Sequence, residues 1–398
     1  MYRVVTKVII QQLTPYNNIG RSKTLQFDFV NHLECADSWR DLTNDAKLIL
    51  PKNLYYKNEN GKTVPLFDNN INAGGFVDSS PLIMRGDKVT IDWGYRYFRG
   101  NKEVFEGTEN KLANTHLFEG YISEVGTKKP IEFKCEDNMY LLKQIQVPLK
   151  TYSKGTTVES MLQEMLNDTQ FTVNTITSTT IGEFKCGNET VAEVLARLRK
   201  TYRFESYFRG NELRCGSQVY IPSEAKTYTF EFQNNIISDE LRYKRKDDLV
   251  LSVVASNTIE ENTGATTKDG HTKTKKTRLE VMVTFRNGNE IPIYYVKEKG
   301  VDLPQNIGGE RLNIPFPQAT TIDELKKNAL ELLKKYYYTG FKGKFTTFGI
   351  PFVKMGDNVQ LIDQILPERN GLYKVRSVEY EGGVDGLRQT IEIDYLIR

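Results

Sequence analysis

A chain of 398 residues exceeds one ordinary hydrophobic core, so two or three domains are expected. Its 54 basic and 51 acidic residues leave a net charge of only +3, and this balance creates no one-signed field of the kind nucleic-acid binding needs. The 22 Tyr and 20 Phe favour β-rich structure, because aromatic rings fit a pleated, half-buried surface.

The opening, Met1 to Ile10, is briefly apolar, but Lys7 interrupts it and Gln11 and Gln12 end it. It lacks the uninterrupted apolar core and cleavage site of a signal peptide, and no run approaches the ~20 apolar residues of a membrane span. The chain is therefore expected to be made and folded in the cytoplasm. Strands are predicted over 3–12 and 24–30, on either side of a turn-rich link at 15–20. Residues 37–51 read as a polar turn followed by a strand, and 57–80 as loop with a short helix at most. Strands at 88–95, 117–125 and 130–136 complete the first part, residues 1–147.

The pattern then changes. Val158, Met161, Leu162, Met165 and Leu166 form one helical face, with Thr156 or Thr157 placed to cap it. A second helix runs through Val191, Val194, Leu195 and Leu198, with Asn188 as its expected N-cap. A hairpin at 203–208 and 213–216 closes a small α+β module over 148–218. Strands return at 227–232, 241–243, 249–255, 278–286 and 292–295. Between the third and fourth, residues 256–277 are rich in Thr, Glu and Lys with almost no apolar side chain, and read as a mobile hairpin extension. One helix, 322–339, starts after Thr320 and Thr321 and ends near Gly340. Strands at 344–350, 358–362, 372–381 and 389–395 complete the third part, 219–398.

Two distant stretches share an order of elements. Gly86-Asp87 leads into Val89, Thr90 and Ile91 much as Gly356-Asp357 leads into Val359, Gln360 and Leu361. Downstream, 120–125 pairs with 371–378, and 130–133 with 390–394. Gly-Asp makes the turn into a strand, and alternate residues then face an interior. The reading is mainly β: two related β-barrel domains with a small α+β domain between them.

Chemistry-bearing signatures are sparse. His32, His116 and His271 stand in no metal-ligand spacing, and a zinc site needs three or four clustered ligands. There is no phosphate-binding Gly loop, dinucleotide fingerprint or nucleophile elbow. Cys35, Cys135, Cys186 and Cys215 lie far apart and read as small buried hydrophobes, with a Cys186–Cys215 disulfide as the alternative. Lys268, Lys273, Lys275, Lys276 and Arg278 read as a solvated loop or subunit contact, since interleaved aromatics are lacking. Tyr336, Tyr337 and Tyr338 read as rings packed against a barrel. No catalytic, cofactor-binding or metal residue is assigned.

Residues 37–51, 85–95 and 118–125 resemble the opening barrel of phage baseplate hubs, a family that includes the late control protein D group and the hub portion of type VI secretion spikes. Residues 356–363 and 371–381 resemble its second barrel, so the similarity spans most of the chain. The resemblance implies a homotrimer whose six barrels join a sixfold tail tube protein to a threefold central spike protein, in a virion tail baseplate or injection particle. It also implies contacts with the tape-measure protein and other baseplate proteins, and DNA passing only transiently through the centre. Unlike the secretion spikes, the sequence carries no repetitive β-helix after Arg398, so a separate spike is expected. A tail-associated cell-wall hydrolase and a receptor- or glycan-binding tail protein are the alternatives.

Overall fold

The structure, a computed structural model, describes the chain apart from residues 1, 14, 16–19, 28, 52–54, 58–62, 66–75, 78–79, 101, 104–114, 128–129, 218–219, 267–271, 299, 306 and 398. The first part contains β1 (Tyr2–Gln11), β2 (Thr24–Phe27), β3 (His32–Ser38) and β4 (Asp45–Ile49). Two small hairpins follow, β5 (Tyr55–Lys57) with β6 (Thr63–Pro65), and β7 (Phe76–Val77) with β8 (Ser80–Pro81). They replace the loop expected at 57–80 wherever that span is described. Then come β9 (Lys88–Arg99), β10 (Lys102–Glu103), β11 (Thr115–Val125) and β12 (Glu132–Glu136).

The middle module holds α1 (Met139–Leu142), β13 (Lys150–Tyr152), α2 (Val158–Met165), β14 (Thr172–Asn174), β15 (Phe184–Cys186), α3 (Val191–Tyr202), β16 (Glu205–Arg209) and β17 (Glu212–Gly216). Thr157 caps α2, its hydroxyl accepting from Ser160 N. The cap of α3 is Thr190, a correction to the expected Asn188. Thr190 accepts from Glu193 N at 3.3 Å while the Glu193 carboxylate accepts from Thr190 N at 2.7 Å, and this reciprocal pair satisfies two otherwise orphaned N–H groups. The apolar faces of both helices share one core with Phe184, Phe204 and Leu213.

The last part contains β18 (Thr227–Glu231), β19 (Ile236–Asp239), β20 (Arg242–Lys244), β21 (Val250–Thr266), β22 (Thr272–Arg286), β23 (Asn289–Val296), β24 (Glu310–Pro315), α4 (Ile322–Tyr336), β25 (Gly340–Phe348), β26 (Asn358–Ile362), β27 (Gly371–Gly383) and β28 (Gly386–Leu396). The described residues of the strongly polar 256–277 stretch continue the β21–β22 ladder, with Glu260 opposite Lys276 and Glu261 opposite Lys275. Strands β23, β22, β21 and β24 form a separate sheet, and α4 covers one of its faces. A capping box between Thr321 and Glu324 starts α4, and Leu325, Ala329 and Leu333 bury against Val253, Val283 and Phe285. The third part thus holds two cores, that of this helix-covered sheet and that of the flanking strands.

The Gly-Asp echo is real in atomic detail. Gly86 and Gly356 have φ of 90° and 88°, the left-handed region that the third position of a type II turn demands. Asp87 N donates to Met84 O at 3.2 Å, and Asp357 N to Lys354 O at 3.1 Å. Asp87 Oδ2 accepts from Met84 N at 2.9 Å, as Asp357 Oδ2 does from Lys354 N at 2.9 Å. Each aspartate's other oxygen accepts from a distant backbone N–H, Leu13 in one case and Lys226 in the other. Gly86 N donates to Ile122 O as Gly356 N does to Val375 O.

This anchoring makes Ile122 equivalent to Val375, and the strand registers then correct the pairing read from the sequence. Gly120 lies opposite Val89, while Tyr373 lies opposite Val359, so Gly120 matches Tyr373 and not Gly371. Likewise Cys135 matches Ile393, since each lies opposite the equivalent residue of the preceding strand. Both slips are of two residues. An even slip keeps every side chain on its own face, so alternation cannot detect it.

The two related halves are not free-standing. Strand β27 pairs with β26 at its beginning and with β3 from Ser377 to Gly383, which joins both halves into one fifteen-stranded sheet. One core cluster runs through both, from Val8 and Phe133 to Phe345 and Ile393. At the seam the Trp93 ring meets Tyr380 edge-on, centroids 5.5 Å apart, and Phe352 at 6.0 Å.

Candidate functional site

Among the described residues, no group of three or more His, Cys, Asp or Glu could hold a metal ion. His32 bonds Glu34 at 2.8 Å and His116 bonds Asp92 at 3.1 Å, each an exposed surface pair, and His271 lies outside the described residues. All four cysteines are free and buried, so the Cys186–Cys215 disulfide is absent. Burial pushes the Cys135 thiol up to about 12, which leaves it un-ionised and poorly nucleophilic. Of the basic stretch, Lys268 lies outside the described residues, while Lys273, Lys275, Lys276 and Arg278 lie along β22. No helix among the described residues is long and apolar enough to cross a membrane.

The three tyrosines ending α4 are structural. Tyr337 accepts from Gly288 N at 2.8 Å and donates to Lys246 O at 3.1 Å, with its ring against Phe285. Tyr338 donates to Phe341 O, and Tyr336 reaches Asp394 Oδ1 at 3.3 Å.

Polar side chains lock the three parts together. Arg209 of the middle module donates to Asp37 Oδ1 at 3.1 Å and to Met355 O at 2.7 Å, while Asp37 Oδ2 accepts from Met355 N at 3.0 Å. Within the first part, Arg21 and Asp87 form a bidentate pair at 2.7 and 2.8 Å, and both side chains are almost fully buried. Trp39 Nε1 donates to Tyr220 OH at 3.0 Å, and Tyr220 donates to Asp394 Oδ2 at 2.8 Å.

A cavity of about 1180 Å³ opens where the three parts meet, lined in part by Trp39, Tyr220, Lys335, Lys374, Arg376 and Asp394. Its deepest charge is Asp394, which accepts from the Arg376 guanidinium and from two tyrosines. Arg376 also meets Glu392, as does Arg40. Asp394 and Glu392 are thus both held in one arginine-centred ion network. Sequence reading missed the cavity because its walls come from segments up to some 350 positions apart, with no local motif to mark them.

Two desolvated carboxylates stand outside the Asp394 hydrogen-bond network, Asp137 buried and Glu205 half-buried on the cavity wall. Asp137 accepts from Met139 N at 2.9 Å and Asn44 N at 3.3 Å, yet burial dominates and pushes its pKa up to about 7. Burial likewise pushes Glu205 up to about 7 against the pull of Arg199. A carboxyl with a raised native pKa binds its proton more tightly folded than unfolded. Its contribution to stability is therefore whole below pH ~4 and is lost as pH rises to ~7. The urea midpoint of wild type should fall between pH 4 and 7 relative to that of Asp137→Asn, by an amount equivalent to a few kcal/mol. Parallel pH profiles for the two proteins would show that Asp137 titrates normally.

The geometry thus defines a duplicated, mainly β chain with an α+β module packed between its halves. No protein-family model matches it, and neither does any curated sequence. Its fold is that of phage tail proteins. It aligns with the 43 kDa tail protein of prophage MuSo2 from Shewanella oneidensis at a TM-score of 0.50, with 13% identity, over 98% of this chain and 97% of that one. It aligns with the tail protein of Neisseria meningitidis MC58 at a TM-score of 0.51, with 11% identity, over 98% and 96%.

Proposed function

We propose that the chain is the structural hub of a phage tail baseplate or of a related injection particle, acting as a homotrimer that joins a sixfold tail tube to a threefold central spike. The duplicated Gly-Asp turn carries this reading. Gly86-Asp87 and Gly356-Asp357 each anchor a sheet through the same hydrogen bonds, so one chain presents two quasi-equivalent faces. Three such chains present six, and closed cyclic symmetry is the usual rule for protein assemblies. The fold shared with two tail proteins, and the Arg209–Asp37 pair that ties the parts together, point the same way.

On this reading residues 1–147 and 219–398 are the two barrel domains and 148–218 the spacer, with the β23–β22–β21–β24 sheet and α4 as an insertion into the second barrel. The tube, spike, tape-measure and other baseplate proteins are the partners, and DNA crosses the centre only during delivery. The polar β21–β22 hairpin supplies reach toward a neighbour. The purified chain is expected to scatter light as a trimer, or to become one on adding its spike. A monomer that stays monomeric with the spike present would contradict the proposal.

A further inference from the structure

The cavity between the three parts carries more positive charge than its own residues neutralise. Eight lysines and arginines line it against four carboxylates. Every one of those carboxylates is engaged: Glu310 by Lys244 and Lys342, Glu392 by Arg40 and Arg376, Asp394 by Arg376, and Glu205 by Arg199. Four of the eight cations remain with no carboxylate within ion-pair distance among the described residues: Arg203, Arg311 and two lysines. The Lys335 ammonium lies 4.0 Å from the Tyr395 ring centroid and 5.6 Å from those of Tyr220 and Tyr336. Lys374, only 4% exposed, lies 5.4 Å from the Tyr220 centroid and among the described residues bonds the neutral amide oxygen of Asn358, at 3.1 Å. Burial lowers the pKa of both, offset in part by the Asp394 charge for Lys335 and by the Asp357 charge for Lys374.

The cavity also meets an open sheet edge. Strand β24 ends its sheet, paired with β21 on one side and with no described strand on the other, and residues 311–315 line the cavity. An edge strand offers a row of main-chain donors and acceptors, the feature through which extended peptides are captured by strand addition. The volume exceeds the ~300–1,000 Å³ of a small-molecule pocket and suits a segment of chain better than a metabolite.

From the open β24 edge beside two ammoniums without carboxylate partners, we infer that this cavity captures an extended acidic peptide segment of a partner protein. The segment lies along β24 and its carboxylates pair with Lys335 and Lys374. Main-chain bonds to β24 supply the hold, and the lysines select acidic over neutral sequences. The inference stands apart from the hub proposal, because it needs only the single chain.

The test is calorimetric titration of the full-length chain with the amidated peptide Val-Glu-Thr-Glu-Val-Glu, beside its Glu-to-Gln counterpart and inorganic phosphate. Hydrogen exchange over residues 310–316 is followed in parallel. The acidic peptide is expected to bind and to slow exchange at 310–316, with affinity falling about tenfold in Lys335→Gln and further when Lys374→Gln is added. Lys335→Arg should keep binding, which separates lost charge from lost fold. Equal binding of the neutral peptide, or no binding of the acidic one to wild type, would overturn the inference. So would binding of phosphate in the peptide's place with no slowing at 310–316. Concentration-dependent slowing with no peptide present would assign the edge to a second copy of this chain, and would overturn it too.

Discussion

Asp87→Ala is expected to destabilise the protein by about 3–5 kcal/mol, because it leaves the buried Arg21 guanidinium without its counter-charge. Asp87 is fully buried and serves four donors: two from Arg21, the backbone N–H of Met84 and that of Leu13. Its loss orphans a desolvated cation and frees the turn that sets the register of β9 against β11. The cost should be larger than that of Asp357→Ala, where the duplicated aspartate accepts from Lys354 N and Lys226 N but meets no arginine at ion-pair distance among the described residues. Urea unfolding of the two variants checks this ordering. Equal losses would show that the turn, and not the ion pair, sets the cost.

The second large effect falls at the seam between the halves. Trp93 is 2% exposed and belongs to β9, yet its ring contacts Tyr380 and Phe352 of the other half. Trp93→Ala should cost about 3–5 kcal/mol through lost burial and the cavity left behind. Because Trp93 bridges the two halves, unfolding should also lose cooperativity, with fluorescence and circular dichroism transitions no longer coincident. A single coincident transition would mean that the β3–β27 pairing alone couples the halves.

Much of the fold was legible because its strands and helices obey simple periods. Val158 to Leu166 showed one helical face, and the Thr157 and Thr321 caps fell beside the first apolar residue of each helix. The Gly-Asp turns were legible because a positive φ before a strand selects glycine, and a buried turn aspartate has few substitutes. Strands such as β3 and β24 were not legible. In β3 the apolar Leu33 and Cys35 are flanked by Glu34 and Asp37, and its place is set by pairing with β27 more than three hundred residues away. Strand β24 gains its order from a parallel partner, β21, and from Glu310 held by Lys244 and Lys342. The two-residue slip in the echo was invisible because it preserves the inward face. The cavity was invisible because each of its lysines looks, in sequence, like an ordinary surface charge.

The assembled particle tests the central claim most directly. An electron-microscopy map of the tail should place three copies of this chain at the junction of tube and spike. Residues 1–147 and 219–398 should alternate around the axis so that the Gly86 and Gly356 turns occupy six equivalent positions. A map with the chain elsewhere in the tail, or with the two turns in unrelated positions about the axis, would contradict the account.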